Sequence, residues 1–156
     1  MAMSKSQERL SAMALTSFAL NGLFLAVAER LAAPAGLTAT RWQVLGAVLN
    51  APLTQAEIAR RMGITRQSVR RTSLQLVNEG MLRFTSNPSH RKAMLLEPTE
   101  NGYAAVNKIK PQHAAFAKQL EERLGTNQMS NILDAMAELR QTLDMIVPPE
   151  QDDVDD

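Results

Sequence analysis

Apolar residues recur at helical spacing over much of the chain. Leu10, Met13, Ser17, Leu20, Phe24, Val27 and Leu31 follow one another three and four residues apart, which predicts a long helix from about Ser6 to Ala32, stopped by Pro34-Ala35-Gly36. Leu15, Phe18 and Leu25 form a second stripe beside the first, and two broad apolar faces imply burial on both sides. A second helix is expected from about Thr38–Thr40 to Asn50, with Trp42, Val44, Leu45 and Val48 as core candidates. Ala51-Pro52-Leu53 reads as a short extended link.

Thr54-Gln55-Ala56-Glu57 is a capping box that opens a short helix ending near Met62-Gly63. Thr65 caps the next helix, and Gly80 is its C′ residue. After Gly80 the period changes. Met81 to Ser86 and Ala93 to Glu97 are short enough for strands, and Asn87-Pro88-Ser89-His90-Arg91-Lys92 between them predicts a small hairpin with a basic tip. Thr99 starts a long helix through Tyr103, Val106, Ile109, Phe116, Leu120 and Leu124, which Pro111 is expected to kink or break in two and Gly125 to end. The last helix, about Thr126 to Val147, carries Met129, Ile132, Met136, Leu139, Leu143 and Ile146 alternating three and four apart, a coiled-coil-like seam. The expected fold class is mainly α with a small β-hairpin, α+β in organisation.

Composition narrows the function. The 156 residues are one domain's worth of chain, 45% apolar and 21% charged, with only 4% aromatic. There are no cysteines, which excludes disulfides, thiolate zinc sites, iron–sulfur clusters and thiol redox sensing. Net charge is +1 overall, but Thr54 to Lys92 holds eight Lys/Arg against Glu57 and Glu79, or +6. That asymmetry points to a polyanion-binding face. Pro148 to Asp156 carries five acids and no base, and reads as a solvated tail. The greasy stretch Met13 to Val27 mimics a signal peptide, but Thr16, Ser17, Asn21 and Gly22 interrupt it. It reads as a buried helix, too polar and too short to span a bilayer. No membrane partner is expected, and a cytoplasmic location is the default.

The informative stretch is Thr54 to Arg71. Ala59 falls where two helices approach most closely, Gly63 where the chain turns with positive φ, and Val69 on the buried side of the second helix; Ile58, Ile64 and Leu76 complete the inner surface. Small residue, glycine, then β-branched residue at these offsets is a helix-turn-helix pattern. An ordinary αα-corner shows any one of them. Val69, Leu74, Leu76 and Val77 are expected to face the core. Thr65, Arg66, Gln67, Ser68, Arg70 and Arg71 form the candidate DNA-reading surface. First-turn amides suit phosphate. Arg matches guanine O6 and N7, and Gln matches adenine N6 and N7. Gln67 and Arg71 are assigned to bases, and Arg66 and Arg70 to phosphate or bases. Arg60 and Arg61 read equally as solvated surface charge. His90, Arg91 and Lys92 suit an adjacent minor groove, with Thr54, Gln55 and Arg83 supporting at the DNA backbone.

These segments resemble the MarR family of bacterial transcription regulators. The resemblance is carried by Leu37-Thr38-Ala39-Thr40-Arg41-Trp42-Gln43-Val44-Leu45, Thr54-Gln55-Ala56-Glu57-Ile58-Ala59, Ile64-Thr65-Arg66-Gln67-Ser68-Val69, Leu76-Val77-Asn78-Glu79-Gly80-Met81 and Pro98-Thr99-Glu100-Asn101-Gly102. It implies a winged helix-turn-helix at 37–100, dimerisation helices at 1–36 and 101–147, and an acidic disordered tail at 148–156. It further implies an obligate homodimer binding a pseudo-palindromic operator, commonly as a repressor released by a phenolic or lipophilic ligand, in a bacterial, nucleoid-associated setting. Leu10, Met13, Ile132, Met136, Leu139, Leu143 and Ile146 are the dimer-interface candidates. Phe18, Phe24, Arg41, Trp42 and His113 are effector-pocket candidates by this resemblance alone. The sequence departs from the family at the wing, where Asp-x-Arg is usual and His90-Arg91-Lys92 stands here. Lys92 matches the arginine, and His90 cannot take the acid's part, so whether Arg91 or Lys92 enters the groove stays open.

Other chemistry is thin. Taken by itself, His113 reads as a helix-packing histidine, and no His/Asp/Glu spacing makes a metal site. There is no Gly-rich phosphate loop, no Gly-x-Ser-x-Gly elbow and no triad, so neither an enzyme nor a cofactor is expected. The competing class is a winged-helix module that binds an acidic protein instead of specific DNA.

Overall fold

The computed structural model describes residues 1–148. The expected tail at 148–156 therefore lies, apart from Pro148, outside the described residues. The elements run α1 (Lys5–Ala32), a 3-10 turn (Ala33–Ala35), α2 (Ala39–Ala47), α3 (Gln55–Met62), α4 (Arg66–Asn78), β1 (Leu82–Thr85), β2 (Leu95–Pro98), α5 (Glu100–Leu124) and α6 (Thr126–Ile146). The chain divides into two units, Met1–His113 and Ala114 onward.

The first unit holds the core. Val44, Leu45, Val48, Ile58, Val69, Leu76, Leu82, Leu96 and Ile109 are fully or almost fully buried, so every element from α2 to the first half of α5 contributes. β1 and β2 pair antiparallel, Leu82 opposite Pro98 and Thr85 opposite Leu95. Pro98 closes the strand, where its missing amide proton costs little. Leu53, in the link before α3, exchanges two backbone hydrogen bonds with Leu96, at 3.2 and 2.7 Å, and adds a one-residue third strand.

Side chains knit the joints. Glu29 on α1 accepts from the Ala39 amide at 2.8 Å, satisfying one orphan donor at the start of α2. Thr99 precedes α5; its hydroxyl accepts from the Gly102 amide at 3.2 Å and donates to the Gly80 carbonyl, while its amide donates to the Met81 carbonyl at 3.0 Å. Gly102 is needed there because a Cβ would run into the Met81 carbonyl oxygen.

Three expectations are corrected. Of the two outcomes expected at Pro111, a kink or a break, the break is ruled out, because α5 runs through it from Glu100 to Leu124. Pro111 and Asn107, whose carbonyl loses its donor, both lie on the exposed side, where water can replace the lost bond. Leu74 does not face the core: it is 43% exposed, and Thr72 and Ser73 occupy the buried positions instead. Nor is α1 too short or too polar for a bilayer. Its 28 residues extend about 42 Å at the usual helical rise. The segment Lys5–Ala35 contains an 18-residue window of mean hydropathy 1.8, none of it buried. The Ser17 hydroxyl donates to the Met13 carbonyl at 2.8 Å, so the interrupting hydroxyl is satisfied inside the helix. By length and composition α1 is able to cross a bilayer, a test that an interface helix of a subunit passes equally well.

The second unit contains the end of α5 and all of α6, separated by Gly125 at φ +87°. No residue of α6 is buried within the protomer.

Candidate nucleic-acid interface

Two capped helices and a glycine joint set the geometry. The Thr54 hydroxyl accepts from the Glu57 amide at 3.2 Å, and the Glu57 carboxylate accepts from the Thr54 amide at 2.8 Å, so both halves of the capping box at α3 are made. α3 ends at Gly63, whose φ of +63° lets the Ile64 amide reach back to the Ala59 carbonyl at 3.2 Å. Ala59, the small residue of the joint, is buried. Thr65 then caps α4, its hydroxyl accepting from the Ser68 amide at 3.1 Å.

α4 has two faces. Val69, Thr72, Ser73 and Leu76, at spacings of three, one and three, are buried. Gln67, Arg70, Arg71, Leu74, Gln75 and Asn78 are exposed on the other side. Gln67, Arg70 and Arg71 therefore stand on one solvent-facing stripe within the first two turns. Arg66 and Thr65 are exposed at the helix start, and Ser68 is half-buried. Gly80, at φ +74°, ends α4 and lets the Met81 amide bond the Leu76 carbonyl at 2.8 Å before β1 begins.

The hairpin tip has order of its own. Asn87 accepts from the Ser89 amide at 3.0 Å and donates from Nδ2 to the Ala93 carbonyl at 2.9 Å. His90 Nδ1 accepts from the Ala93 amide at 3.2 Å. The histidine that stands in place of an acid thus folds back on the turn, while Arg91 and Lys92 are exposed. Among the described residues, Arg60, Arg61, Arg70, Arg71, Arg91 and Lys92 make no ion pair. Arg83 is different. It pairs across the strands with Glu97 at 2.6 Å, and its own side chain stays 64% exposed. Gln55 and Thr54 are half-buried.

The other candidates separate. Trp42 and His113 meet edge to face with ring centroids 5.9 Å apart. Arg41 is committed to a two-pronged ion pair with Glu79. Phe18 and Phe24 are exposed on α1. A shallow groove lined by Val48, Leu49, Pro52, Arg83, Glu97 and Tyr103 contains none of these five residues. Leu10, Met13, Ile132, Met136, Leu143 and Ile146 are exposed in the protomer, with Leu139 half-exposed. Among the described residues, no group of three or more His, Asp or Glu side chains is arranged to hold a metal ion. The Arg41–Glu79 pair left no signal in the pattern, whereas the Asn87 bond to the Ser89 amide is the turn contact that an asparagine there implies. Helical phase places Leu74 on the exposed side of α4 despite its apolar character.

A two-helix joint with a basic exposed second helix, followed by a hairpin, defines a winged helix-turn-helix. Residues 35–93 match the family model described as the MarR family. It is 42% identical over 92 residues to the uncharacterized protein Rv2011c of Mycobacterium tuberculosis, covering 59% of this chain and 64% of that protein. It thus spans a little under two thirds of that relative's length. Among solved structures, the transcriptional repressor CouR bound to a 23-mer DNA duplex matches with TM-score 0.69 at 25% identity, over 90% of this chain and 99% of that one. The M. tuberculosis transcriptional regulator MosR in complex with DNA matches with TM-score 0.69 at 20% identity, over 85% and 96%. The second likeness is one of fold.

Proposed function

We propose that this protein is a DNA-binding transcription regulator that occupies a pseudo-palindromic operator as a homodimer and represses nearby genes until a small lipophilic or phenolic effector binds. The observation that carries it is the exposed stripe Gln67-Arg70-Arg71 on a helix whose opposite face is sealed into the core. A rigid helix bearing Gln67, with Arg70 and Arg71 in no ion pair among the described residues, presents the donors that base edges in a major groove require. Thr65, Arg66 and Ser68 lie where the first-turn amides meet phosphate. The hairpin carries Arg91 and Lys92 toward the neighbouring minor groove, with Thr54, Gln55 and Arg83 at the backbone. CouR and MosR, which share the fold, are both solved with DNA.

In this reading residues 37–100 meet the operator, and 1–36 with 101–147 make the dimer. α1 buries only Leu31 and Ala32, and α6 buries nothing, although both carry stripes of large apolar residues. A second copy supplies the missing cover. Half-sites then stand about one helical turn apart, roughly 10 bp. Trp42 and His113, which meet edge to face, are assigned with Arg41, Phe18 and Phe24 to the effector site of this reading.

Selection of bound sequences from random duplex tests this directly. The expected result is a two-fold-symmetric consensus, with affinity falling steeply between about 50 and 200 mM salt. Weak, salt-insensitive binding with no consensus would leave a protein-interaction module instead.

A further inference from the structure

Leu74 is a large apolar residue standing in water on the face that also bears Gln67, Arg70 and Arg71. Its position follows from helix phase. Seven residues at about 100° each bring Leu74 to within about 20° of Gln67, between the directions of Arg70 and Arg71. The buried residues Val69, Thr72, Ser73 and Leu76 point the opposite way. Along the axis Leu74 lies about 10 Å beyond Gln67, which is roughly three base-pair steps of duplex. The polar stripe therefore continues into an isobutyl group.

We propose that Leu74 reads a thymine by packing its methyl groups on the thymine C5-methyl in the major groove. The proposal rests on the reading of α4 as the helix that enters DNA. Of the groups that base edges present in that groove, the thymine methyl is the apolar one, and a side chain without donors or acceptors can select a base only through it. Leu74 also disfavours cytosine at that step, because its side chain would cover the exocyclic amine without offering it an acceptor. Gln67, Arg70 and Arg71 then supply hydrogen-bonded recognition, and Leu74 adds a base choice that charge cannot supply. Exposure of 43% in the free protomer leaves the side chain available for this contact.

The probe is the duplex that the wild-type chain selects from a random library, with each thymine of one half-site replaced singly by deoxyuridine. This removes one methyl and leaves every hydrogen-bonding group in place. For the wild-type chain one position should show a loss of about three- to five-fold, the scale of a single buried methyl. Leu74→Ala should bind the parent duplex more weakly and be indifferent to uracil at that position, while keeping the losses caused by other base changes. Leu74→Asn should shift the preferred base there in a fresh selection. Since Leu74 is exposed, both variants should keep the wild-type melting temperature, so a binding change is not a folding change. A flat uracil scan of the wild-type chain, or the same uracil loss in Leu74→Ala, would overturn the proposal while leaving DNA recognition intact. Failure of the wild-type chain to select any sequence would remove the DNA reading itself, and this proposal with it.

Discussion

Arg41 at the start of α2 grips Glu79 at the end of α4, donating from Nη1 at 3.0 Å and from Nη2 at 2.6 Å to the two carboxylate oxygens. The two residues are 38 apart in sequence, and their side chains are 21% and 38% exposed. A forked pair of this kind fixes direction as well as distance. It ties the exit of α4, the helix proposed to face DNA, to the helix that carries Trp42, whose ring meets His113.

Glu79→Gln should therefore change two things unequally. Stability should fall by no more than about 1 kcal/mol, since the pair is partly solvated. Affinity for the selected operator should fall several-fold as α4 loses a fixed angle, and the double replacement Arg41→Glu with Glu79→Arg should recover part of the loss. Thermal melts and operator titrations on the same samples check both. Single variants with wild-type operator affinity would show that the pair does not position α4.

Arg71 and Lys92 should separate base reading from charge. Arg71→Ala should cost about 1–3 kcal/mol on the selected duplex and relax base choice at one position. Lys92→Ala should weaken selected and random duplexes alike and reduce the salt slope by about one. Equal losses on both duplexes for Arg71→Ala would place that residue on phosphate.

Much of this interface was legible because its signals are local. Thr54 with Glu57, Thr65, Gly63 and Gly80 each act within four residues, through a cap or a positive φ, and the structure places each of them as those rules require. What escaped was decided by phase, solvent or distance. Leu74 was assigned inward on its apolar character, but Thr72 and Ser73 hold the inward positions because they stand three and four residues after Val69. Pro111 is tolerated because its side of α5 faces solvent, and no pattern within the helix announces that. The Arg41–Glu79 pair depends on chain crossing that only the folded backbone creates.

Gly102 should tolerate no side chain. Its α5 turn lies against the chain at Met81, and the Thr99 hydroxyl already binds both the Gly102 amide and the Gly80 carbonyl. Gly102→Ala has to push backbone against backbone, so a loss of about 2 kcal/mol or more is expected, despite alanine's better helix propensity. Denaturant unfolding measures it. An unchanged midpoint would mean that α5 starts elsewhere in solution.

Ser73 poses the opposite case. It is fully buried on α4, and its hydroxyl has no hydrogen-bond partner among the described residues. Burying an unpaired hydroxyl costs about 1–3 kcal/mol, and alanine removes the hydroxyl with almost no change in volume. Ser73→Ala should raise the melting temperature or leave it unchanged, with DNA affinity intact because the residue faces away from Gln67 and Arg71. A clear fall in melting temperature would reveal a bond to that hydroxyl in solution.

The apolar seam of α6 yields the last prediction. Ile132, Met136 and Leu143 are exposed in the protomer at spacings that align them along one side of the helix. A continuous stripe of large exposed apolar side chains marks a surface that a partner covers, and a second copy is the cover proposed here. Replacing Ile132 and Met136 together with glutamate should therefore shift the protein to monomers by sedimentation, or unfold it. Operator affinity should collapse far more than affinity for random duplex, because one half-site alone loses the joint binding of two. Deleting residues 132–147 should act in the same direction. A folded monomer that kept operator affinity would break the link between the α6 seam and recognition.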